Sequence, residues 1–240
     1  MPIRIADCWF AYGKQQVFSG LEMTVKPGVT VLLGPNGAGK STLLSLAASV
    51  RAPQHGTIHL DRIPATHRSY RKLVAWMPQN ITPMPGLTAR EQVAYVGWAK
   101  GLSRREAWDK AADALDKVNL TPKRDQRTKT LSGGQLRRVG VASALVHDAR
   151  ILLLDEPTAG MDPTQRRAFR DLLAALDVSV LLSTHDVADL ADDAQYVTCL
   201  YDGAIVHGGT TDEFLACAPP GTPSTRQAEA AYSRLCGGDA

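Results

Sequence analysis

A nine-residue stretch, Gly34, Pro35, Asn36, Gly37, Ala38, Gly39, Lys40, Ser41, Thr42, constrains this chain more than any other. It has the form of a phosphate-binding loop. Glycines let the backbone curl so that successive N–H groups face inward. Lys40 brings a cation for the β and γ phosphates, and Ser41 offers a hydroxyl to Mg²⁺. Upstream, Val29 to Leu33 form a short apolar, β-rich run; downstream, Leu43, Leu44, Leu46 and Ala47 recur at helical spacing. Strand, loop and helix in that order are what the motif needs, because the helix N-terminus completes the anion site. A glycine-rich turn with an incidental lysine is the plainer alternative, and the flanking elements weigh against it.

The 240 residues suffice for one large domain, or for one domain with an insertion. At 44% hydrophobic and 21% charged residues the composition is that of a soluble globular protein, and a dispersed net charge of +3 gives no argument for nucleic acid. No apolar run approaches the length of about eighteen residues that a membrane span requires, and the N-terminus lacks the form of a signal peptide. Any membrane crossing is therefore expected of another chain. Cys8, Cys199, Cys217 and Cys236 show no paired spacing, so reduced thiols are expected.

From Ile3 to Val25 short apolar alternation, broken at Gly13 and Gly20, predicts antiparallel strands. Tyr12 reads either as a half-buried strand aromatic or as a platform for an adenine ring. Strands are expected over Gly56–Leu60 and Leu73–Met77, the second followed by Pro78 and Gln79. By itself Gln79 is a solvated loop residue; beside a nucleotide its amide oxygen can reach Mg²⁺. After Pro83, Pro85 and Gly86 the pattern turns helical. Thr88 with Glu91 and Ser103 with Glu106 each fit a capping box, and Ala107, Ala111, Ala114, Leu115 and Val118 share one helical face. This block reads as an insertion, roughly 84–130, with a solvated loop over Lys123–Lys129.

Leu131, Ser132, Gly133, Gly134, Gln135 open another helix, with Ser132 as cap and Gln135 three residues on. Bare N–H groups at the positive end of a helix dipole favour an anion, so the chain holds two phosphate-seeking helix starts. Ile151 to Leu154 is a continuous apolar run, as in a parallel strand covered on both faces, and it ends in Asp155 and Glu156. Acids in a loop are ordinarily solvated. In a chain with a phosphate loop, Asp155 can hold Mg²⁺ through its water shell and Glu156 can polarise an attacking water. Asp162 and Pro163 open a helix expected to reach Leu176. A buried strand over Val178–Leu182 then leads to Ser183, Thr184 and His185, at the end of a core strand where open parallel sheets bind ligands. A hairpin about Asp202 and Gly203, a helix near Asp212–Ala218 and a mobile tail over 219–240, with a marginal helix at Gln227–Leu235, complete the chain.

In this order the motifs resemble the ATP-binding subunit of ABC transporters, over nearly the whole chain to about Ala218. The resemblance implies an α/β fold: a P-loop NTPase core with a mainly parallel sheet, an N-terminal antiparallel β part and an inserted helical subdomain. Tyr12 matches the adenine-stacking aromatic, Gly34–Thr42 Walker A, Gln79 the Q-loop and Leu131–Gln135 the signature. Ile151–Glu156 match Walker B with its catalytic glutamate, Gly160–Asp162 the D-loop, and His185 the switch histidine. The signature discriminates, since other P-loop families lack it.

The resemblance further implies ATP and Mg²⁺ as ligands. Two subunits would pair head to tail, as a homodimer or heterodimer, with ATP between the Walker A loop of one and Ser132, Gly133 and Gly134 of the other. Lys40 neutralises charge; Ser41, Gln79 and Asp155 place Mg²⁺; Glu156 activates water; His185 holds the γ-phosphate. Asp162 lies across the interface. The implied partner is a transmembrane permease, the implied place the cytoplasmic face of the membrane, and no nucleic acid is expected. The Pro85–Glu91 stretch looks most like exporters of drugs or antibiotics. The alternative is a soluble ABC-type ATPase acting on ribosomes, DNA or a cofactor-assembly scaffold. Those usually carry a second cassette or long insertions, which this sequence lacks.

Overall fold

A computed structural model of the protein describes residues 1–187 and 194–237. Strands β1 (Ile3–Tyr12), β2 (Gln15–Val25), β4 (His55–Leu60) and β5 (Ile63–Pro64) form an antiparallel sheet in the order β2-β1-β4-β5. A second sheet has the order β10-β9-β3-β8-β7-β6, made of β3 (Val29–Leu33), β6 (Val74–Met77), β7 (Ile151–Asp155), β8 (Ser179–Thr184), β9 (Tyr196–Tyr201) and β10 (Ala204–Thr210). Its strands are parallel except β10, which returns antiparallel to β9.

The parallel strands read as unbroken apolar runs because both of their faces are buried. Side chains alternate across a strand. Val31, Leu33, Leu152, Leu154, Val180 and Leu182 therefore enter one core, while Leu32, Ile151, Leu153 and Leu181 enter another. The first core is closed by α5 (Gly133–Leu145) and α6 (Pro163–Ala174), through Val139, Ala142, Phe169 and Leu173. The second is closed by α1 (Lys40–Ala47) and the antiparallel sheet. Every residue of α1 except Ser41 is buried. The loop that precedes α1 is thus anchored at both ends in packed structure.

The helical block comprises α3 (Ala89–Ala99) and α4 (Arg104–Lys117), and both expected capping boxes form. Thr88 N donates to the Glu91 carboxylate at 2.7 Å and Ser103 N to that of Glu106 at 3.0 Å. Hydrogen bonds with the backbone and hydroxyl of Thr88, and with the hydroxyl and backbone of Ser103, favour the ionised carboxylates and lower both pKa values. The two helices bury Val93, Ala111, Ala114 and Leu115 in the same core as α5.

Several expectations shift. Helix α2 (Arg68–Leu73) was not anticipated, and the next strand begins at Val74; only Tyr70 of α2 is buried, its hydroxyl donating to Ala47 O at 2.6 Å. In the 123–129 loop Thr128 is fully buried and tied by its N–H to Leu87 O at 3.0 Å. Helix α6 stops at Ala174, and β8 runs through Thr184, which makes Ser183 and Thr184 strand residues. Helix α7 spans only Thr211–Leu215. Beyond Pro219, α8 (Gln227–Cys236) is docked rather than loose, with Ala231 and Cys236 buried in the first core.

His147, which follows α5, is enclosed so that neither ring nitrogen has a partner among the described residues. Burial, with Lys100 nearby, pushes its pKa from the usual 6.5 down to about 4. The unfolded chain then binds the proton more readily. Its contribution to stability is complete above pH 6.5 and is lost as pH falls through 4, by roughly 3 kcal/mol. Urea unfolding across this range should show a shallower pH slope for His147→Leu than for the parent.

Candidate active site at the carboxyl ends of the parallel strands

The Gly34–Lys40 loop leaves the end of β3. A side chain at Gly34 would come within 2.4 Å of Leu200 O, and Gly39, with φ of +103°, has the Phe18 ring at 3.0 Å from where a Cβ would stand. Glycine is required at both places, in one by close approach and in the other also by a left-handed backbone. Among the described residues no acceptor is found for the N–H groups of Lys40, Ser41 and Thr42, the first turn of α1. Lys40 is only 5% exposed; its Nζ donates to Gly34 O at 2.7 Å and Pro35 O at 3.0 Å and lies 3.8 Å from Glu156 Oε1. Burial lowers its pKa, and the Glu156 and Asp155 carboxylates oppose that shift.

Three further strand ends converge on this ammonium. Asp155 closes β7 at 3% exposure, and Glu156 follows it with φ of +44°. After β6, Gln79 Nε2 donates to Glu156 Oε2 at 3.0 Å; after β8, His185 Nδ1 lies 3.3 Å from Glu156 Oε1. Lys40, Gln79, Glu156 and His185, spread over 146 positions of sequence, thus share one carboxylate. Ser183, expected to follow a strand, belongs to this group. Its hydroxyl contacts Asp155 and the backbone of Glu156. A buried polar residue at the end of a largely apolar strand, two places before His185, is the available signal.

Tyr12 stands at the end of β1, 44% exposed and outside both cores. Its hydroxyl is 3.3 Å from Thr42 Oγ1, and the Arg51 guanidinium lies 5.0 Å from its ring centre. The ring is a surface group beside α1, as a stacking platform has to be.

The Ser132 turn is built as expected. Gln135 N donates to Ser132 Oγ at 3.3 Å and Ser132 N to Gln135 Oε1 at 3.0 Å. These bonds leave the N–H groups of Gly133 and Gly134 without acceptors among the described residues. Nothing lies within 4 Å of where a Gly133 side chain would be. No described hydrogen bond or ion pair joins this turn to the Lys40 loop; the cleft beside it is lined by Pro122, Arg138, Met161 and Gln165 instead. Asp162 caps α6, accepting from Gln165 N at 2.8 Å.

A family profile described as ABC transporter matches residues 18–159, more than half of the chain. The chain belongs to the ABC transporter family. It is an ATP-binding cassette of the ATP-hydrolysing kind. A putative ABC transporter ATP-binding protein of Streptomyces avermitilis is 37% identical over 88% of this chain and 83% of its own length. The linearmycin resistance ATP-binding protein LnrL of Bacillus subtilis is 32% identical over 83% of the chain. ATP-binding cassette sub-family A member 17 of Rattus norvegicus is 40% identical over 72%. The chain spans 66% of LnrL and 10% of the rat protein. Among solved structures, cbiO1 of Clostridium perfringens, part of the ABC transporter complex cbiONQ, superposes with a TM-score of 0.76 at 25% identity over 89% of this chain and 90% of that one. The dimeric bacterial cassette MJ0796 gives 0.76 at 24% identity over 87% and 98%, which bears on fold alone.

Two substitutions test the cassette's nucleotide pocket. Lys40→Ala should abolish ATP binding in a calorimetric titration. Tyr12→Ala should weaken it by about tenfold, one stacking contact, with an unchanged unfolding midpoint; unaltered affinity would mean that the ring does not touch the base.

Proposed function

We propose that two copies of this cassette clasp ATP between the Lys40 loop of one and the Ser132 turn of the other, and that its hydrolysis powers a separate membrane-spanning exporter subunit. The observation that carries this reading is the division of labour within one chain. Lys40, Gln79, Glu156 and His185 meet at one carboxylate, while no described hydrogen bond or ion pair joins the second anion-seeking helix start to them, and it lines a cleft with other residues. A head-to-tail pair brings the two halves together, with a site at each end of the interface.

Within a site, the loop amides from Asn36, Gly37, Ala38 and Gly39 through Thr42 cradle the phosphates and Tyr12 stacks on the base. Lys40 neutralises the β and γ oxygens. Glu156, a carboxylate shared by a histidine and an amide, accepts a proton from the attacking water. His185 keeps water and γ-phosphate in line. From the other copy, Ser132, Gly133, Gly134 and Gln135 close over the γ-phosphate, and Asp162 links the two sites.

The donors suit Mg²⁺. They are one hydroxyl at Ser41, one amide oxygen at Gln79 and one carboxylate at Asp155, and no group of three His, Cys, Asp or Glu residues among those described forms a metal cage. A cation that keeps several waters and takes phosphate oxygens needs no more from the protein. When bound, Mg²⁺ would supply positive charge to offset that of the phosphates.

No helix among the described residues is long and apolar enough to cross a membrane. A groove of about 440 Å³ between β6, α3 and α5 continues from the Gln79 segment and is lined by Trp76, Pro78, Ile81, Gln92, Val96 and Gly140. It would seat a cytoplasmic segment of the permease, so that a change at Gln79 moves the partner. The resistance function in the name of LnrL supports the exporter direction.

Glu156→Gln should bind Mg-ATP, lose hydrolysis by on the order of a hundredfold or more, and elute as a dimer in size exclusion. Adding Ser132→Arg should return it to a nucleotide-bound monomer. A monomer from Glu156→Gln alone would rule out the clasp.

A further inference from the structure

Ser183 has no part in the reading above, yet its buried hydroxyl makes two hydrogen bonds at the site. It is fully buried, on β8, in register with Asp155 of β7 on one side and Leu32 of β3 on the other. Glu156 N donates to Ser183 Oγ at 3.0 Å, and Ser183 Oγ donates to Asp155 Oδ1 at 2.8 Å. One hydroxyl has one proton, so with Oγ accepting from the amide that proton goes to the carboxylate, which can only accept. We propose that Ser183 is a positioning residue of the hydrolytic site, fixing the Asp155 carboxylate and the Glu156 backbone in one relation through a single oxygen.

Two features require such a brace. Asp155 is the strand-end carboxylate assigned to the metal, and a bond at Oδ1 fixes its rotation and leaves Oδ2 for the ligand. Second contacts of this kind set the orientation and basicity of a metal-holding group. Glu156 occupies a left-handed backbone conformation, unusual for a residue with a side chain. That conformation persists only where the surroundings over-determine it. The amide bond to Ser183 is one such determinant; the 3.2 Å bond from Ala159 N to Glu156 O is the other described. Losing the Ser183 hydroxyl frees the Asp155 carboxylate and the Glu156 backbone at once. This inference rests on the roles proposed above for Asp155 and Glu156.

The test compares Ser183→Ala, Ser183→Thr and Glu156→Gln in the full chain. Hydrolysis kinetics, binding of a fluorescent ATP analogue with Mg²⁺ or with EDTA, and the unfolding midpoint are measured for each. Ser183→Ala should lower kcat about ten- to hundredfold with KM within about threefold. Its affinity in EDTA should match the parent, while the gain in affinity conferred by Mg²⁺ shrinks. Ser183→Thr, which keeps the hydroxyl, should recover most of kcat. Should alanine fail to fold, Ser183→Cys, close in size with a weak donor, takes its place with the same expectation. A kcat within about twofold of the parent, or EDTA affinity falling in step with kcat, overturns the proposal. If Glu156→Gln is inactive while Ser183→Ala is not, only the Ser183 assignment fails. Parent-like hydrolysis by Glu156→Gln overturns the site reading and this inference together.

Discussion

An ammonium buried to 5% exposure is the constraint around which this protein is built. Removing a charge from water costs several kcal/mol unless other groups replace the solvent. For Lys40 the replacements are two carbonyls of its own loop and the Glu156 carboxylate. The carbonyls are available because Gly34 lets the loop press against Leu200 and Gly39 lets it turn left-handed into α1. The carboxylate is available because β7 ends at the same level as β3. Loop, glycines and acidic strand end therefore depend on one another.

That levelling follows from the sheet. β8 lies between β3 and β7, and β6 lies beyond β7, all parallel. Their carboxyl ends emerge on one edge, where an open α/β sheet places its ligands. The segments carrying Lys40, Gln79, Glu156 and His185 need no contact in sequence to become neighbours. The two cores hold this edge rigid, since each strand is packed on both faces and α1 is almost wholly enclosed.

What the sequence discloses of this is what is local. The phosphate loop, the capping boxes at Thr88, Ser103 and Ser132, and the apolar run before Asp155 are set by residues within a few positions, and the structure has each of them. Helix α2 is hidden because Arg68–Leu73 offers one buried residue and no apolar stripe to read. The Gln227–Cys236 helix is visible as a helix, but its docking depends on Ala231 and Cys236 meeting β9, which periodicity does not encode. Ser183 is the sharpest case. Its importance lies in standing beside Asp155 across a parallel register, and nothing within ten residues of it announces that pairing. The charged loop at 123–129 misleads in the opposite way, since Thr128 is buried among exposed neighbours.

The two anion-seeking helix starts differ in a way that bears on how a clasp can open. Helix α1 begins at a left-handed glycine with no side-chain cap, so its first-turn amides stay available and a lysine stands among them. Helix α5 begins at a serine whose hydroxyl already takes the Gln135 amide, while Gln135 takes that of Ser132, and only the two glycine amides remain. Fewer free amide donors in the first turn make α5 the weaker hand. A triphosphate between the two would stay with the Lys40 loop when the grip is lost. In the proposed clasp, loss of one phosphate would remove the group nearest the Ser132 turn, where little else would hold. A reversible interface needs that inequality: two equally strong cradles would leave no side from which to let go.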